Sequence, residues 1–306
     1  KIDFYAEASA HIQSLANSGR AKTAQCYRRS LNALAAFLDS SAIFLDSITP
    51  QMLRTFIDSL RDKVSENTAR GYIAEIRVLY NVVAVHHDIT SNPFKSLTLA
   101  RQSGRGLRAL TSRQIRKIAT LEGLPKAEAM ARDLFLLSFC LCGVNMCDLY
   151  TMAKPSAGRI NYERQKTRRR RKDCARVSLA LHPFAQVLAS RYLASPLSPY
   201  WLKFIQEYNT EESFLRAINN GLHEVGRRAC LPLRLTSYYA RHSWATIARN
   251  ECDIDIYDIS QALAHQPPNG KTDFIYIKED SFRIDRANAL VLSKVFKPLD
   301  VMTVAS

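Results

Sequence analysis

Tyr238-Tyr239-Ala240-Arg241-His242-Ser243-Trp244-Ala245-Thr246 sets an arginine and a histidine side by side at the start of an otherwise small and apolar helical stretch. Helix N-termini gather unpaired N–H groups and a positive dipole, so they bind anions. Downstream, Leu263-Ala264-His265-Gln266-Pro267-Pro268 ends a helix on a histidine, just ahead of two prolines that cut it short. A lone histidine there is more often a capping residue than a catalytic one. Next comes Thr272-Asp273-Phe274-Ile275-Tyr276-Ile277-Lys278, whose two aromatics read as core packing when taken alone. Upstream, Arg164-Gln165-Lys166-Thr167-Arg168-Arg169-Arg170-Arg171-Lys172 is the densest charge in the chain. It lies between two short alternating stretches, 159–162 and 175–179, which predict a small β-hairpin or three-stranded sheet with a charged turn. On a hairpin, such a run favours contact with phosphates over a merely solvated surface.

Composition sets the frame around these motifs. With 306 residues, 47% of them hydrophobic and 23% charged, the chain has room for two domains with their own cores. Forty-three basic residues stand against 28 acidic ones, a net charge of +15, which attracts polyanions. The seven cysteines, at 26, 140, 142, 147, 174, 230 and 252, form no CxxC pair and read as reduced, buried thiols of a cytoplasmic protein. Neither a metal site nor a membrane span is expected, since no apolar run approaches the length of a spanning helix.

Apolar residues recur at helical spacing from Phe4 to about Asn81, interrupted by polar turns. One helix begins at Lys22 or Thr23, a second follows Thr49-Pro50, and a third follows Ser65; about four helices are expected in all. Asn92-Pro93 is expected to stop the last of them. Residues 98–107, with Ser103-Gly104-Arg105-Gly106 and Arg101, have the composition of a linker. The second domain, 108–306, opens on the N-cap signal Leu110-Thr111 and contains the apolar helix 133–141, the hairpin and further helical patterns from His182 onward. The fold class is mainly α: a helical first domain, 1–97, then a mixed, mostly helical domain with a small sheet.

The order of these elements resembles one family. An apolar helix with an acidic end, a lysine-bearing hairpin, an Arg-His helix start, a histidine after a helix and a tyrosine some ten residues on are similar to the catalytic domain of the tyrosine recombinases, or phage integrases. Residues 1–97 resemble that family's SAM-like core-binding domain. The resemblance implies that Arg241 holds the scissile phosphate, with His242 beside it on the DNA. It implies that Lys166 protonates the leaving 5′ oxygen, that His265 is the family's active-site histidine and that Tyr276 is the nucleophile. It implies double-stranded DNA as partner, a tetramer on that DNA, in some systems a host DNA-bending factor, and chemistry that asks for no cofactor. Integration, excision or inversion of a mobile segment is the expected task, as in the integrases of conjugative transposons. Arg28, Arg29, Arg70 and Arg77 in the first domain, Arg101 and Arg105 in the linker and Arg168 on the hairpin are candidate DNA contacts. The apolar helical pattern from Ala289 through Leu292, Val295 and Phe296 either docks on a neighbouring protomer, as family tails do, or packs within its own chain.

Three departures stand out. The family's first arginine belongs to a Thr-Gly-x-Arg-x-x-Glu phrase, and Cys142-Gly143-Val144-Asn145-Met146-Cys147-Asp148 has Asn145 in its place. Asparagine can hydrogen-bond a phosphate but cannot neutralise it. Tyr238 stands where the family has a histidine three residues before Arg241. The usual spacing from His265 lands on Phe274; Tyr276 is preferred because Asp285, Ala287 and Asn288 continue the family register after it. Arg164, two residues before Lys166 and on the same face if both lie on a strand, is expected either to supply the missing charge or to contact a neighbouring phosphate. A non-catalytic DNA-binding protein that keeps this fold is the competing reading.

Overall fold

Asp3, Thr49 and Ser65 each turn a side-chain oxygen onto an N–H of the helix that follows, at 2.9–3.2 Å, and these caps set three of the four helices of the first unit. The computed structural model describes residues 1–40, 42–97, 109–265 and 281–297. Two compact units divide the chain, Lys1–Gly106 and Leu107–Ser306.

The first unit consists of α1 (Phe4–Asn17), α2 (Ala21–Leu38), α3 (Pro50–Leu60) and α4 (Glu66–His86). Phe4, Leu31, Leu34, Phe56, Ile76 and Leu79 are completely buried at its centre, each contributing about 1.5–3 kcal/mol on burial. α4 stops at His86, before Asn92-Pro93. The chain turns left-handed at Asp88, φ 53°, and the Ile89 N–H closes back on the Ala84 carbonyl at 2.8 Å. This Schellman-type closure ends the helix without the proline.

In the second unit, α5 (Ser112–Ala119) starts on a reciprocal capping box between Thr111 and Gln114. It is followed by α6 (Lys126–Cys140), α7 (Met146–Tyr150), β1 (Arg159–Glu163), β2 (Arg176–Ala180), α8 (Pro183–Ser190), α9 (Phe204–Glu207), α10 (Glu211–Arg228), α11 (Tyr238–Asn250), α12 (Ile256–Ala262) and α13 (Ser281–Phe296). Every residue of α6 from Ala131 to Cys140 is buried, so this stretch is enclosed on all sides at the core of the unit, and its two charged residues, Arg132 and Asp133, are paired with each other at 2.9 Å. α10 lies close against it: a Cβ on Gly221 would stand 2.6 Å from that of Ala131. β1 and β2 pair antiparallel as a two-stranded hairpin, with Arg159 opposite Ala180 and Glu163 opposite Arg176.

The fold decides between the two alternatives left open for the tail and departs from the sequence reading at two further points. α13 docks into its own core: Val291, Leu292, Val295 and Phe296 are buried, and the Phe296 ring meets Phe184 and Phe139 at 4.8 and 6.1 Å. Two polar ties hold it there. Asn288 donates to the Cys140 carbonyl and accepts from the Trp244 indole, both at 2.8 Å, while Asp285 pairs with Arg159 of β1 at 2.8 Å. Secondly, Arg164 is not on a strand, because β1 ends at Glu163 and the chain turns there. Thirdly, of the seven free cysteines only Cys140 and Cys142 are buried; Cys26 and Cys230 are exposed. Among the described residues no helix is long and apolar enough to cross a membrane.

Candidate active site

Gly143 allows the site to form. Its φ is +71°, and a Cβ there would lie 2.3 Å from the Cα of Arg241, so the loop before α7 presses directly on the backbone of α11. Arg241, in the first turn of α11, is only 4% exposed. Its guanidinium donates to the Gly143 carbonyl at 3.1 Å and to the Leu263 carbonyl, and Nη2 stands 3.2 Å from Nε2 of His265. Three chain segments thus meet on one side chain.

A second guanidinium lies within reach. Arg164 is 4% exposed, and its Nε is buried without a hydrogen-bond partner. Burial first, and then the charge of Arg164, hold the Arg241 pKa below the usual arginine range. Asp148 of α7 is the carboxylate against both; burial raises its pKa, opposed by the Gln165 N–H, by Arg164, by the Asn145 amide and by Arg241. Its Oδ1 accepts the Gln165 N–H at 3.0 Å, whereas its buried Oδ2 accepts nothing. The Tyr162 hydroxyl is pushed up by burial and by Asp148, so it stays protonated. Two buried cations against one carboxylate leave net positive charge in a poorly solvated place, which an anion would relieve.

His265 has an exposed edge, yet its pKa is pushed down to about 4, by burial first and then by Arg241, Arg164, Lys166 and Arg171. The ring is therefore neutral at pH 7, and with Arg241 donating, Nε2 is the acceptor. Above pH 6.5 the ring is neutral folded or unfolded and adds nothing. Between pH 6.5 and 4 the unfolded chain takes up the proton first, so stability falls with pH. His265→Gln should flatten that part of the melting-temperature profile; an unchanged slope over pH 4–6.5 would contradict the assigned shift.

The other candidates are scattered. Lys166 is exposed in the hairpin turn, followed by the exposed 3-10 turn Arg168–Arg170. Arg171 is held by Asp173, whose pKa its hydrogen bond lowers. His242, half-buried on α11, carries the Tyr238 ring edge-on at 4.7 Å. In the first unit Arg29 and Arg77 are exposed and Arg70 is half-buried. Arg28 places two donors on Ser9 of α1, tying α1 to α2. Tyr276, Phe274, Arg101 and Arg105 lie outside the described residues. Sequence reasoning missed Gly143 and Gln165; the signal for Gly143 was its place in the Thr-Gly-x-Arg-like phrase.

Residues 3–99 match the phage integrase SAM-like domain family. No curated protein matches the chain. Among solved structures, a lambda integrase tetramer bound to a Holliday junction is similar with a TM-score of 0.64 at 16% identity, over 89% of this chain and 80% of that one. XerH site-specific recombinase bound to its difH substrate gives 0.55 at 16% identity, over 91% and 83%. The Tn1549 transposon integrase in complex with circular intermediate DNA gives 0.57 at 10% identity, over 94% and 99%. At these identities the likeness is one of fold.

Proposed function

From a chain with the tyrosine recombinase fold and a phage integrase SAM-like match at residues 3–99, we propose a site-specific DNA recombinase that works through a 3′-phosphotyrosine intermediate. The Tyr276 hydroxyl oxygen attacks the scissile phosphorus. A Tyr–phosphate bond forms as the phenol proton passes to solvent, the bond to the 5′ oxygen breaks, and Lys166 protonates the departing oxygen. A second 5′-hydroxyl then attacks the phosphotyrosine and releases Tyr276. Each step exchanges one phosphodiester for another, so the bond energy is kept.

The observation that carries this reading is the pair of buried guanidiniums, Arg241 and Arg164, beside His265. Charge on the non-bridging oxygens grows as the phosphorus is attacked, and fixed guanidiniums stabilise it there more than in the ground state. Tyrosine, with a usual pKa of about 10, is a poor nucleophile without such positive surroundings. The exposed cations Lys166, Arg168, Arg169 and Arg170 on the hairpin supply phosphate contacts that position the duplex. The proposed assembly is a tetramer on two duplexes, acting on a mobile segment, with a host bending factor as accessory.

A nicked suicide duplex tests this. The site can be selected from a random-sequence library by binding to the full chain. A covalent protein–DNA product that Tyr276→Phe abolishes is the expected result. Asn145, neutral where the family has an arginine, favours the second reading, a DNA-binding protein without catalysis; tight binding with no adduct would establish it.

A further inference from the structure

We propose that Gln165 is a positioning residue for the reaction, a clasp that fixes the hairpin turn on α7 and so holds Arg164 beside Arg241. The inference rests on the recombinase reading above. Gln165 stands between two candidate residues, Arg164 and Lys166, in a turn where β1 has ended. Its backbone N–H donates to Asp148 Oδ1 at 3.0 Å, and its side-chain Nε2 donates to the Cys147 carbonyl at 2.9 Å and to Thr151 Oγ1 at 2.8 Å. All three acceptors belong to α7 or to Thr151 at its C-cap. The turn itself folds onto the Arg164 carbonyl, which accepts the N–H groups of Thr167 and Arg168 at 3.1 and 2.9 Å.

The Arg164 guanidinium has its Nε buried without a hydrogen-bond partner. Its main-chain N–H donates to the carbonyl of Ala175, the residue before β2, at 3.1 Å. The placement of its guanidinium therefore depends on how the turn sits on α7, and Gln165 sets that from both its backbone and its side chain. The clasp borders a cleft of about 490 Å³ lined by Asp148, Thr151, Tyr162, Gln165 and Arg168. A purely structural role is available too, because a one-turn helix leaves carbonyls that an amide can satisfy. The two roles differ in what they do to the chemistry.

The test compares two suicide duplexes, one natural and one with an uncharged methylphosphonate at the scissile position. Neutralising that phosphate removes the need for a second cation. Gln165→Met keeps the side-chain length and removes both donors; Thr151→Val removes one acceptor and is the milder variant. On the natural duplex Gln165→Met should lower the rate of adduct formation by roughly 10- to 100-fold, as small misplacements of catalytic groups do. On the methylphosphonate the deficit should shrink to within about threefold of the unaltered chain, the pattern expected when only the placement of a charge is lost. Thr151→Val should show the same pattern at smaller amplitude. An equal deficit on both duplexes, or none on either, overturns the clasp. An unaltered chain that forms no adduct on either duplex overturns the recombinase reading and the clasp with it.

Discussion

Arg241→Ala is expected to slow covalent adduct formation by about a thousandfold or more while DNA binding changes little. Removing a preorganised donor from a developing oxyanion costs 10²–10³ in rate, and an arginine on a transferring phosphoryl group up to about 10⁵. Arg241 belongs at the upper end because its guanidinium is buried and held on two carbonyls, so it meets the phosphate already oriented. Ala would also leave the Gly143 and Leu263 carbonyls without their donor, at about 1–3 kcal/mol for each buried group left unsatisfied. Denaturant melting beside single-turnover cleavage separates the two losses. Arg241→Lys keeps the charge but cannot span both carbonyls and a phosphate, so its rate should fall between the two. An Arg241→Ala rate within tenfold of the unaltered chain contradicts the proposed role.

The second large effect belongs to Arg164. Arg164→Ala should reduce cleavage by about 10²–10³-fold, with DNA affinity unchanged within a few-fold, because the charge at stake matters mainly as the phosphate is attacked. Asn145, the residue before α7, supplies an amide beside Asp148 and no charge. If Arg164 stands in for the family's first arginine, placing that arginine back should compensate. Asn145→Arg in the Arg164→Ala background should recover at least about tenfold of the lost rate. A fully active Arg164→Ala chain, or a double variant no better than the single one, would sink the substitution.

Why Arg164 sits where it does marks the limit of what the sequence discloses. The helices were legible because their signals are local: an apolar stripe at period 3.6 with Thr49, Ser65 and Thr111 as caps. The hairpin was legible by its alternation, and both strands formed where the pattern placed them. The face onto which Arg164 points was not. Strand alternation predicted one face for Arg164 and Lys166, but the turn begins one residue too early, burying Arg164 and leaving Lys166 outside. That outcome depends on Asp148 and Gln165, which meet only after α7 and the hairpin have folded together.

Long-range packing also settled the end of the described chain. Leu292, Val295 and Phe296 have the same spacing whether they cover their own core or a neighbour's. The choice was made by partners far away in sequence, Cys140, Phe139, Phe184 and Arg159. Similarly, Cys26 lies on an amphipathic helix and faces outward, since α2 buries only the side that carries Ala24, Leu31 and Leu34. The meeting of Arg241 and His265 was suggested by the family's order of motifs and could not be obtained from composition or periodicity. What the structure adds is the physical frame of that pair: Gly143 pressed on the backbone of α11, and the Leu263 carbonyl shared with the guanidinium.

The most direct measurement of the central proposal is to map the covalent link. After reaction with the suicide duplex and nuclease trimming, tryptic cleavage at Lys271 and Lys278 releases Thr272-Asp273-Phe274-Ile275-Tyr276-Ile277-Lys278, a peptide with one tyrosine. Mass spectrometry is predicted to find the nucleotide on this peptide, as a phosphodiester of Tyr276. A nucleotide on any other peptide, or an adduct that persists in Tyr276→Phe, would contradict the account.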